Sequence, residues 1–460
     1  MNDELRVKNN ELGGKMKYRY RTDEEMKDNE SGFLERIPND WKVAKAQYYF
    51  NVYAGGTPST NEPAYWDGDI PWINSGEVQN CIVKKISRYI TERGLEESST
   101  KLIPKNTTLL AMTGATCGKV GYLTFDSTAN QSVMAFTEPR NCSSKFLFYY
   151  LICQNHQIEY FKTGGAQGGI NVDNGKKLYI NIPSKTEQEK IAKFLDEKTA
   201  QFDSIISKKE ALIEKLEEAK KSLISEVVTG KVKVVKSSDE YEVVERKKEE
   251  MKDSGVEWLG DIPKEWEVKA IKYLFSLRNE RNYKEMGEVQ LLSLYTNLGV
   301  LKQGDVEARG NKVRTVEDYK EVYPNDIIVN IILAWMGAIG MSEYRGVISP
   351  AYDIYEPINK NTISKYYHYV FRTGRFAGEC YKKGRGIMDM RWRTYSDEFK
   401  SILVPDLSVE EKNIIVECID KKINEVEALI KNIEEQIEKL KEAKQSLISE
   451  AVTGKIEILD

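Results

Sequence analysis

Cationic and aromatic side chains are concentrated in residues 372–393. Only Glu379 and Asp389 oppose the positive charge there, and Tyr381 and Trp392 stand among the cations. Arginine can donate two hydrogen bonds to a guanine edge and lysine neutralises phosphates, so this mixture favours contacts with a nucleic-acid backbone together with base readout. A solvated basic face is the simpler alternative. The candidate binding residues are Arg372, Arg375, Lys382, Lys383, Arg385, Arg391 and Arg393.

A glycine-rich stretch, residues 164–177, is a second candidate for the same chemistry. It combines amide side chains with lysines on what is predicted to be a loop. Asn and Gln can pair with adenine through two hydrogen bonds, whereas Lys favours phosphate. An ordinary surface loop explains the composition nearly as well, and Lys119 in its own glycine-rich turn is a similar case. The candidates here are Lys119, Gln167, Asn171, Lys176 and Lys177.

Motifs for catalysis or metal binding are weak by comparison. Residues 114–120 have glycines and a lysine, but their spacing is short for a phosphate-binding loop and Val120 replaces the magnesium-binding hydroxyl. Residues 405–412 superficially match a nuclease pattern, but the gap is too short and acidic residues are common at a helix start. The two histidines, 156 and 368, lie far apart, and the six cysteines form no CxxC pair. We therefore expect neither a metal site nor a bound cofactor on this chain.

A duplication must position these candidates. Residues 212–232 and 436–456 are identical at 16 of 21 positions, with a constant offset of 224. Ile37-Pro38 followed by Trp41 recurs as Ile262-Pro263 followed by Trp266, at an offset of 225. The segments between, roughly 44–180 and 269–402, do not visibly resemble each other. Similar flanking segments around dissimilar central segments predict one architecture, present twice, with a different recognition function in each copy.

Each frame ends in a long predicted helix, over residues 185–230 and 407–454. Thr186 with Glu189 and Ser408 with Glu411 predict N-terminal capping boxes, and Gly230 and Gly454 predict C-terminal caps. Apolar residues recur at heptad spacing, which is typical of a coiled coil. A single amphipathic helix against a globular core is the alternative, and a parallel pair stays open beside the antiparallel pair that we expect. The predicted interface comprises Phe202, Ile205, Leu212, Leu216, Leu223, Val426, Leu429, Ile433, Leu440 and Leu447.

The predicted fold class is α+β. Two mixed α/β recognition domains are separated by two long helices that form an antiparallel coiled coil with pseudo-twofold symmetry. The predicted segments are a flexible lead-in (1–30), a first recognition domain (31–184), the first helix (185–230), a linker (231–253), a second recognition domain (254–406), the second helix (407–454) and a tail (455–460).

Net charge alone argues against a nucleic-acid partner, but its distribution does not. The chain carries −4 overall. Residues 33–184 hold 15 basic and 13 acidic residues and residues 256–405 hold 22 and 20, which is +2 in each. No apolar run approaches the roughly 20 residues of a membrane span, and the polar N-terminus is unlike a signal peptide. We therefore expect a cytoplasmic protein.

The whole pattern resembles the specificity subunits of type I restriction-modification systems. The matching stretches cover residues 16–456, although residues 408–412 lack the Glu-Gln that usually opens the second helix. The motifs that carry the resemblance lie at 37–41, 56–59 with 65–66, 186–191, 223–231, 254–260, 262–266 and 447–455.

The resemblance implies that each variable domain recognises one half of a bipartite DNA sequence. It further implies that the helices space the halves and dock two methyltransferase subunits, which bind S-adenosylmethionine, and that restriction or translocase subunits join the complex. The chain itself would do no chemistry. Two alternatives stay open, a coiled-coil adaptor whose domains bind proteins and an enzyme with an unrecognised active site.

Overall fold

A computed structural model describes residues 17–29, 32–33, 36–84, 86–163, 168–238, 240–296, 298–305, 315–386 and 392–459. The chain divides into two compact units. Unit 1 comprises residues 1–210 and 434–460, and unit 2 comprises residues 211–433. No helix in the described part of the chain is both long and apolar enough to cross a bilayer.

Short strands and helices of unit 1 are connected mostly by brief turns. Its strands before the first long helix are β1 (Tyr18–Tyr20), β2 (Met26–Asp28), β3 (Arg36–Pro38), β4 (Lys42–Lys45), β5 (Asn51–Ala54), β6 (Trp66–Ile73), β7 (Cys81–Ile82), β8 (Arg88–Ile90), β9 (Thr108–Ala111), β10 (Val120–Tyr122), β11 (Thr128–Ala129), β12 (Val133–Thr137) and β13 (Tyr179–Ile182). Its helices are α1 (Glu92–Glu96), α2 (Ser144–Ile152), α3 (Asn155–Phe161), α4 (Val172–Lys176) and the start of α5 (Lys185–Val228).

Unit 2 has the same kind of mixed composition. Its strands are β14 (Val232–Ser237), β15 (Glu240–Glu245), β16 (Met251–Asp253), β17 (Asp261–Pro263), β18 (Glu267–Ala270), β19 (Phe275–Leu277), β20 (Leu292–Tyr295), β21 (Gly299–Lys302), β22 (Lys320–Val322), β23 (Ile327–Asn330), β24 (Ile339–Met341), β25 (Gly346–Ile348), β26 (Tyr352–Pro357) and β27 (Leu403–Asp406). Its helices are α6 (Ser364–Phe371), α7 (Gly374–Lys383), α8 (Ser396–Ser401) and the first part of α9 (Val409–Val452), after which β28 (Ile456–Ile458) belongs to unit 1.

The central sheets of the two units have the same strand order over four strands, and β7 is an additional edge strand in unit 1. In unit 1 the order is β5-β12-β9-β10-β7, and in unit 2 it is β19-β26-β23-β24. The three pairings from β5 to β10 are antiparallel, and so are the three from β19 to β24. The two middles that do not resemble each other in sequence therefore share a core topology. Many apolar sequences satisfy a buried central strand, so sequence comparison did not reveal this likeness.

One two-stranded closure frames each variable middle. Strand β4 pairs with β13 in unit 1, and β18 pairs with β27 in unit 2. The chain thus enters and leaves each variable segment through neighbouring antiparallel strands. Inside this closure lie the residues that differ between the units.

Segments predicted as lead-in, linker and tail contain paired strands instead. Strand β1 pairs antiparallel with β28, and Tyr18 lies opposite Ile458. Strand β14 pairs with β15 in the same register. Val234 lies opposite Val243, and these two residues correspond to Ile458 and Tyr18 at the repeat offsets of 224 and 225. The lead-in that we predict to be flexible, the linker and the tail therefore contain strands in their described residues. Alternating Val and Ile side chains of β14, β15 and β28 pack on the cores of the units. The high content of charged residues in these segments does not indicate this packing.

The two long helices begin and end near the predicted positions, but their first turns are capped differently. The hydroxyl of Ser184, not of Thr186, accepts a hydrogen bond from the amide of Glu187 at 3.3 Å. Ser408 accepts from the amide of Glu411 at 3.1 Å, as predicted. The Glu411 carboxylate, however, does not turn back to complete a capping box and instead binds side chains of the repeated frame.

A repeated Arg-Trp-Glu network explains the Ile-Pro and Trp motifs. In unit 1 the Glu187 carboxylate accepts from Trp41 Nε1 at 3.0 Å and from Arg21 at 2.7 Å. In unit 2 the Glu411 carboxylate accepts from Trp266 Nε1 at 3.1 Å and from Arg246 at 3.2 Å. Both tryptophans are fully buried. Each frame therefore uses the first turn of a long helix to satisfy a buried indole.

In unit 1, the parts of α5 and α9 that belong to it run antiparallel, and in unit 2 the corresponding parts are in contact. In unit 1 Lys209 donates to Gln436 and Lys444 donates to Asp203, both at 2.6 Å. In unit 2 Lys220 lies 3.7 Å from Glu427. Along these parts of unit 1, residue numbers on α5 therefore increase while those of the facing residues on α9 decrease.

Burial of the ten predicted interface residues is uneven. Phe202 and Leu447 are buried, and Ile205, Leu216, Leu223, Val426, Ile433 and Leu440 are half-buried. Leu212 and Leu429 are 46% and 55% exposed, so the structure contradicts their prediction as buried seam residues. A heptad pattern identifies the apolar stripe of a helix, but it does not determine whether a partner covers the whole stripe.

The terminal strand pair leads to a test of the duplicated frame. We expect a circular permutant to fold with a free energy of unfolding within about 1 kcal/mol of the natural chain, because every strand pairing is kept. It would join Ile458 to Tyr18 through a copy of residues 235–242 and begin anew at Glu240. Urea unfolding followed by tryptophan fluorescence measures the effect. A control permutant opened inside β12, a central strand, should not fold. Equal loss of stability in both permutants would contradict the equivalence of the β1–β28 and β14–β15 strand pairs.

Candidate nucleic-acid interface

Two backbone hydrogen bonds close a loop at the basic segment of unit 2. Arg385 and Arg393 exchange amide-to-carbonyl bonds of 2.9 and 3.1 Å, so residues 385–393 form what we call the basic loop. Trp392 stacks on Tyr381 of α7 with ring centroids 5.0 Å apart, and its Nε1 donates to the Tyr381 carbonyl at 3.0 Å. The base of the loop is therefore held against a helix. Residues 387–391, including the predicted Arg391, lie outside the described residues.

Exposed cations lie along α7 and at the base of this loop. Within the described part of the chain, Arg375, Lys383 and Arg393 are exposed and make no ion pair. Lys382 pairs with Glu257, whose hydrogen bond raises the pKa of the lysine. Arg385 pairs with Glu398 and lies 5.7 Å from the ring centre of Tyr395. Such exposed pairs contribute little to stability and can open for another anion, so all five side chains remain candidates.

Arg372 differs from the other predicted residues. Its guanidinium donates to the carbonyls of Ile339 at 3.1 Å and Thr296 at 2.8 Å, and burial lowers its pKa. The structure thus gives Arg372 a role in holding α6 to β24 and the β20–β21 hairpin. Charge in the sequence could not distinguish this arginine from its exposed neighbours.

The glycine-rich segment of unit 1 forms a loop of the same design. Thr163 and Gly169 exchange two backbone hydrogen bonds of 3.0 Å, and we call residues 163–169 the glycine loop. Residues 164–167, which include the predicted Gln167, lie outside the described residues. Asn171 accepts from the amide of Asn174 at 2.8 Å and so caps α4. Lys176 lies 3.6 Å from Asp173, and Lys177 is exposed.

The basic loop and the glycine loop are equivalent elements of the duplicated architecture. Gly169 and Arg393, which close the two loops, are 224 residues apart, the same offset as in the repeated helices. The next residues, Ile170 and Thr394, both donate at 2.9 Å to a carbonyl just past a central strand, that of Met112 and that of Ile331 respectively. Two segments chosen from sequence for different compositions therefore occupy the same place in the fold.

A short helical turn lies beside each loop, between two central strands. Gly114–Thr116 connects β9 to β10, and Ala334–Met336 connects β23 to β24. The half-buried Lys119 follows the first turn. The stretch from 114 to 120 passes into a strand and not into a helix, so it lacks the helix N-terminus of a phosphate-binding loop. The second turn follows β23, which ends at Asn330.

Other titratable groups are engaged in the fold. Burial tends to raise the pKa of Asp406, but hydrogen bonds from Lys269 and Lys412 bring it below its ordinary value. His368 is buried, which lowers its pKa to about 3, and its Nδ1 accepts from the amide of Met341 at 3.0 Å. Among the described residues, no three His, Cys, Asp or Glu side chains form a group that could hold a metal ion.

Fold and loops together define a class of protein, a duplicated chain of two mixed α/β units in which each central sheet presents a backbone-closed loop beside a helical turn. Residues 38–218 match the family model described as the type I restriction modification DNA specificity domain. These residues are therefore similar to the DNA specificity domain of type I restriction-modification systems.

Similar proteins support this assignment along the chain. The MjaIX specificity subunit of Methanocaldococcus jannaschii is 34% identical over 44% of this chain and 46% of its own length. The EcoR124I/EcoR124II specificity subunit of Escherichia coli is 32% identical over 33% of this chain and 38% of its own. The chain thus aligns with less than half of the length of these two relatives. The MjaVIII specificity subunit of M. jannaschii is 24% identical over 92% of this chain and 94% of its own.

One solved structure has a fold similar to that of this chain. It comes from work on complex assembly and conformational transition of the type I restriction-modification system, with a TM-score of 0.65 and 12% identity. The match covers 92% of this chain and all of that chain. At this identity the likeness concerns the fold alone.

Proposed function

We propose that this chain is a non-catalytic DNA-recognition subunit that reads a bipartite target, one half with each unit. The observation that carries the proposal is the recurrence of a backbone-closed loop at the repeat offset, with different side chains in each unit. Because the two loops occupy equivalent positions in the duplicated fold, we infer that both contact DNA. Because their side chains differ, we infer that they recognise different base sequences. Double-stranded DNA is the proposed partner.

Charge and hydrogen-bonding capacity assign different contacts to the two loops. In unit 2 the exposed Arg375, Lys383 and Arg393 suit phosphates and guanine edges. In unit 1 the exposed Asn171 and Lys177 offer an amide and a smaller positive charge. Backbone closure limits how far each loop base can move, which lowers the entropy lost on binding.

The proposal extends to the long helices and to partner subunits. An antiparallel coiled coil with pseudo-twofold symmetry would set the spacing between the two half-sites, and the antiparallel contacts inside unit 1 support it. Two methyltransferase subunits would dock on the helices, where Leu212 and Leu429 are exposed. Those subunits would bind S-adenosylmethionine, and restriction or translocase subunits would complete a cytoplasmic complex. This chain would bind no cofactor itself.

Single substitutions in the basic loop and at the end of α7 test the DNA-binding role. Arg393→Ala is expected to weaken binding by about 1–3 kcal/mol and to relax preference at one base pair. Lys383→Ala is expected to weaken binding equally for all sequences and to reduce the salt slope by about one. The measurement is the affinity for duplexes selected by the full chain from a random library, at several salt concentrations.

Lys360 provides the matched control for these substitutions. It is exposed and follows β26, at the opposite end of the sheet from the Ala334–Met336 turn, so Lys360→Ala should leave binding unchanged. Affinity that does not fall as salt rises would contradict DNA binding and favour a protein adaptor. An unchanged affinity in both Arg393→Ala and Lys383→Ala would remove the basic loop and the adjoining end of α7 from the interface.

A further inference from the structure

The helical turn of unit 2 exposes two large apolar side chains. Leu333 is 36% exposed and Met336 is 52% exposed. The equivalent turn of unit 1 instead has the small residues Thr113, Gly114 and Ala115 at its exposed positions. A single exposed apolar residue needs no explanation, but here two adjacent ones lie on an element that also differs between the units.

Hydrogen bonds hold this turn in one conformation. The Asn330 side-chain oxygen accepts from the amides of Ile332 at 3.0 Å and Leu333 at 3.3 Å. Trp335 Nε1 donates to the Ile332 carbonyl at 2.9 Å. Gly337, with φ of +82°, then directs the chain into β24. Leu333 and Met336 are therefore presented on a fixed backbone, as expected of a contact surface.

The turn is attached directly to the basic loop. The Thr394 amide donates to the Ile331 carbonyl at 2.9 Å. The Trp335 ring lies 5.7 Å from that of Tyr381, on which Trp392 stacks. An apolar surface thus adjoins exposed cations. A ligand that fits must combine negative charge with a small apolar group, and the DNA major groove does so where a thymine methyl lies between phosphates.

We propose that Met336 and Leu333 read the 5-methyl group of a thymine in the half-site recognised by unit 2. The proposal rests on the DNA-binding function proposed above and adds a specificity-determining contact to it. The contact distinguishes thymine from cytosine and from uracil through one methyl group. The unit 1 turn has smaller side chains at its exposed positions and therefore offers less apolar surface than Leu333 and Met336 do.

Deoxyuridine in place of thymidine isolates this contact, because it removes the methyl group and keeps the base-pairing edge. Duplexes selected by the full chain would carry the replacement at one thymine at a time. We expect natural protein to lose affinity roughly fourfold at one or two positions, as burial of a single methyl group implies. Met336→Ala combined with Leu333→Ala should bind the thymidine and deoxyuridine duplexes equally at those positions.

Two variants keep the result specific. Met336→Leu retains an apolar side chain and should keep the preference for thymidine that the double variant loses. Ile358→Ala truncates a side chain of similar exposure, 49%, at the other end of the same sheet and should leave that preference intact. Circular dichroism confirms that each variant is folded, and all truncated side chains are at the surface.

Four results would overturn the proposal. Deoxyuridine without effect at every thymine, or a preference that persists in the double variant, would show that this turn does not read a methyl group, while specific binding would leave the proposed function intact. Binding to no duplex above random sequence would overturn both. Unchanged DNA binding with a weakened protein complex would make the turn a protein-docking surface instead.

Discussion

Gly230→Ala is expected to destabilise unit 2 by roughly 2–6 kcal/mol. Gly230 has φ of +74°, where a side chain strains the backbone by about 1–3 kcal/mol. A β-carbon would also lie 2.4 Å from Pro263 and 2.9 Å from the Trp266 ring, and relief of such overpacking costs about 1–3 kcal/mol more. Urea unfolding followed by the fluorescence of the buried tryptophans measures the change.

Gly454 is the counterpart of Gly230 in unit 1. It has φ of +76°, and its β-carbon would lie 2.4 Å from Pro38 and 3.1 Å from Trp41. Gly454→Ala should therefore have a similar effect on unit 1. This close approach explains why the Ile-Pro and Trp motifs recur together with the Thr-Gly-Lys that ends each repeat.

Gly255→Ala separates backbone strain from steric clash. Gly255 has φ of +69° but nothing within 4 Å of a built β-carbon. Its substitution should cost only about 1–2 kcal/mol, the penalty of the left-handed conformation alone. If Gly230→Ala were no more destabilising than Gly255→Ala, the packing of the helix end against Pro263 and Trp266 would not matter for stability.

Exchange of the variable segment of unit 2 is expected to change one half of the recognised sequence completely. The β18–β27 pair closes that segment, so residues 271–402 can be replaced with the corresponding segment of a related specificity subunit. Each mismatched base pair costs about 1–3 kcal/mol, so a new half-site differing at three positions should change preference by about a hundredfold or more. Selection from a random library identifies both half-sites.

The reciprocal exchange provides the control. The β4–β13 pair closes residues 46–178 in unit 1, and their replacement should change only the other half-site. The half-site that belongs to the untouched unit should stay the same in each chimaera. A change in both half-sites after one exchange would contradict independent reading by the two units.

Local and repeated patterns were predictable from the sequence. The offset of 224 revealed the duplication, and apolar periodicity with terminal glycines located both long helices. These features depend on neighbours within one or two helical turns, or on direct comparison of the chain with itself. Clustering of cations likewise marked the basic segment, because charge is visible without a fold.

Tertiary structure decided which of those residues share a surface. Arg372 proved to be half-buried, with its guanidinium bound to carbonyls from β24 and the β20–β21 hairpin, whereas Arg393 proved to be exposed. Leu212 and Leu429 carry the same heptad signal as Phe202 but are exposed. The sequence alone also determined the frame of this protein, because helices and repeats are specified locally. The equivalence of the basic loop with the glycine loop appeared only in the fold, since long-range backbone hydrogen bonds depend on chain geometry and leave no trace in side-chain identity.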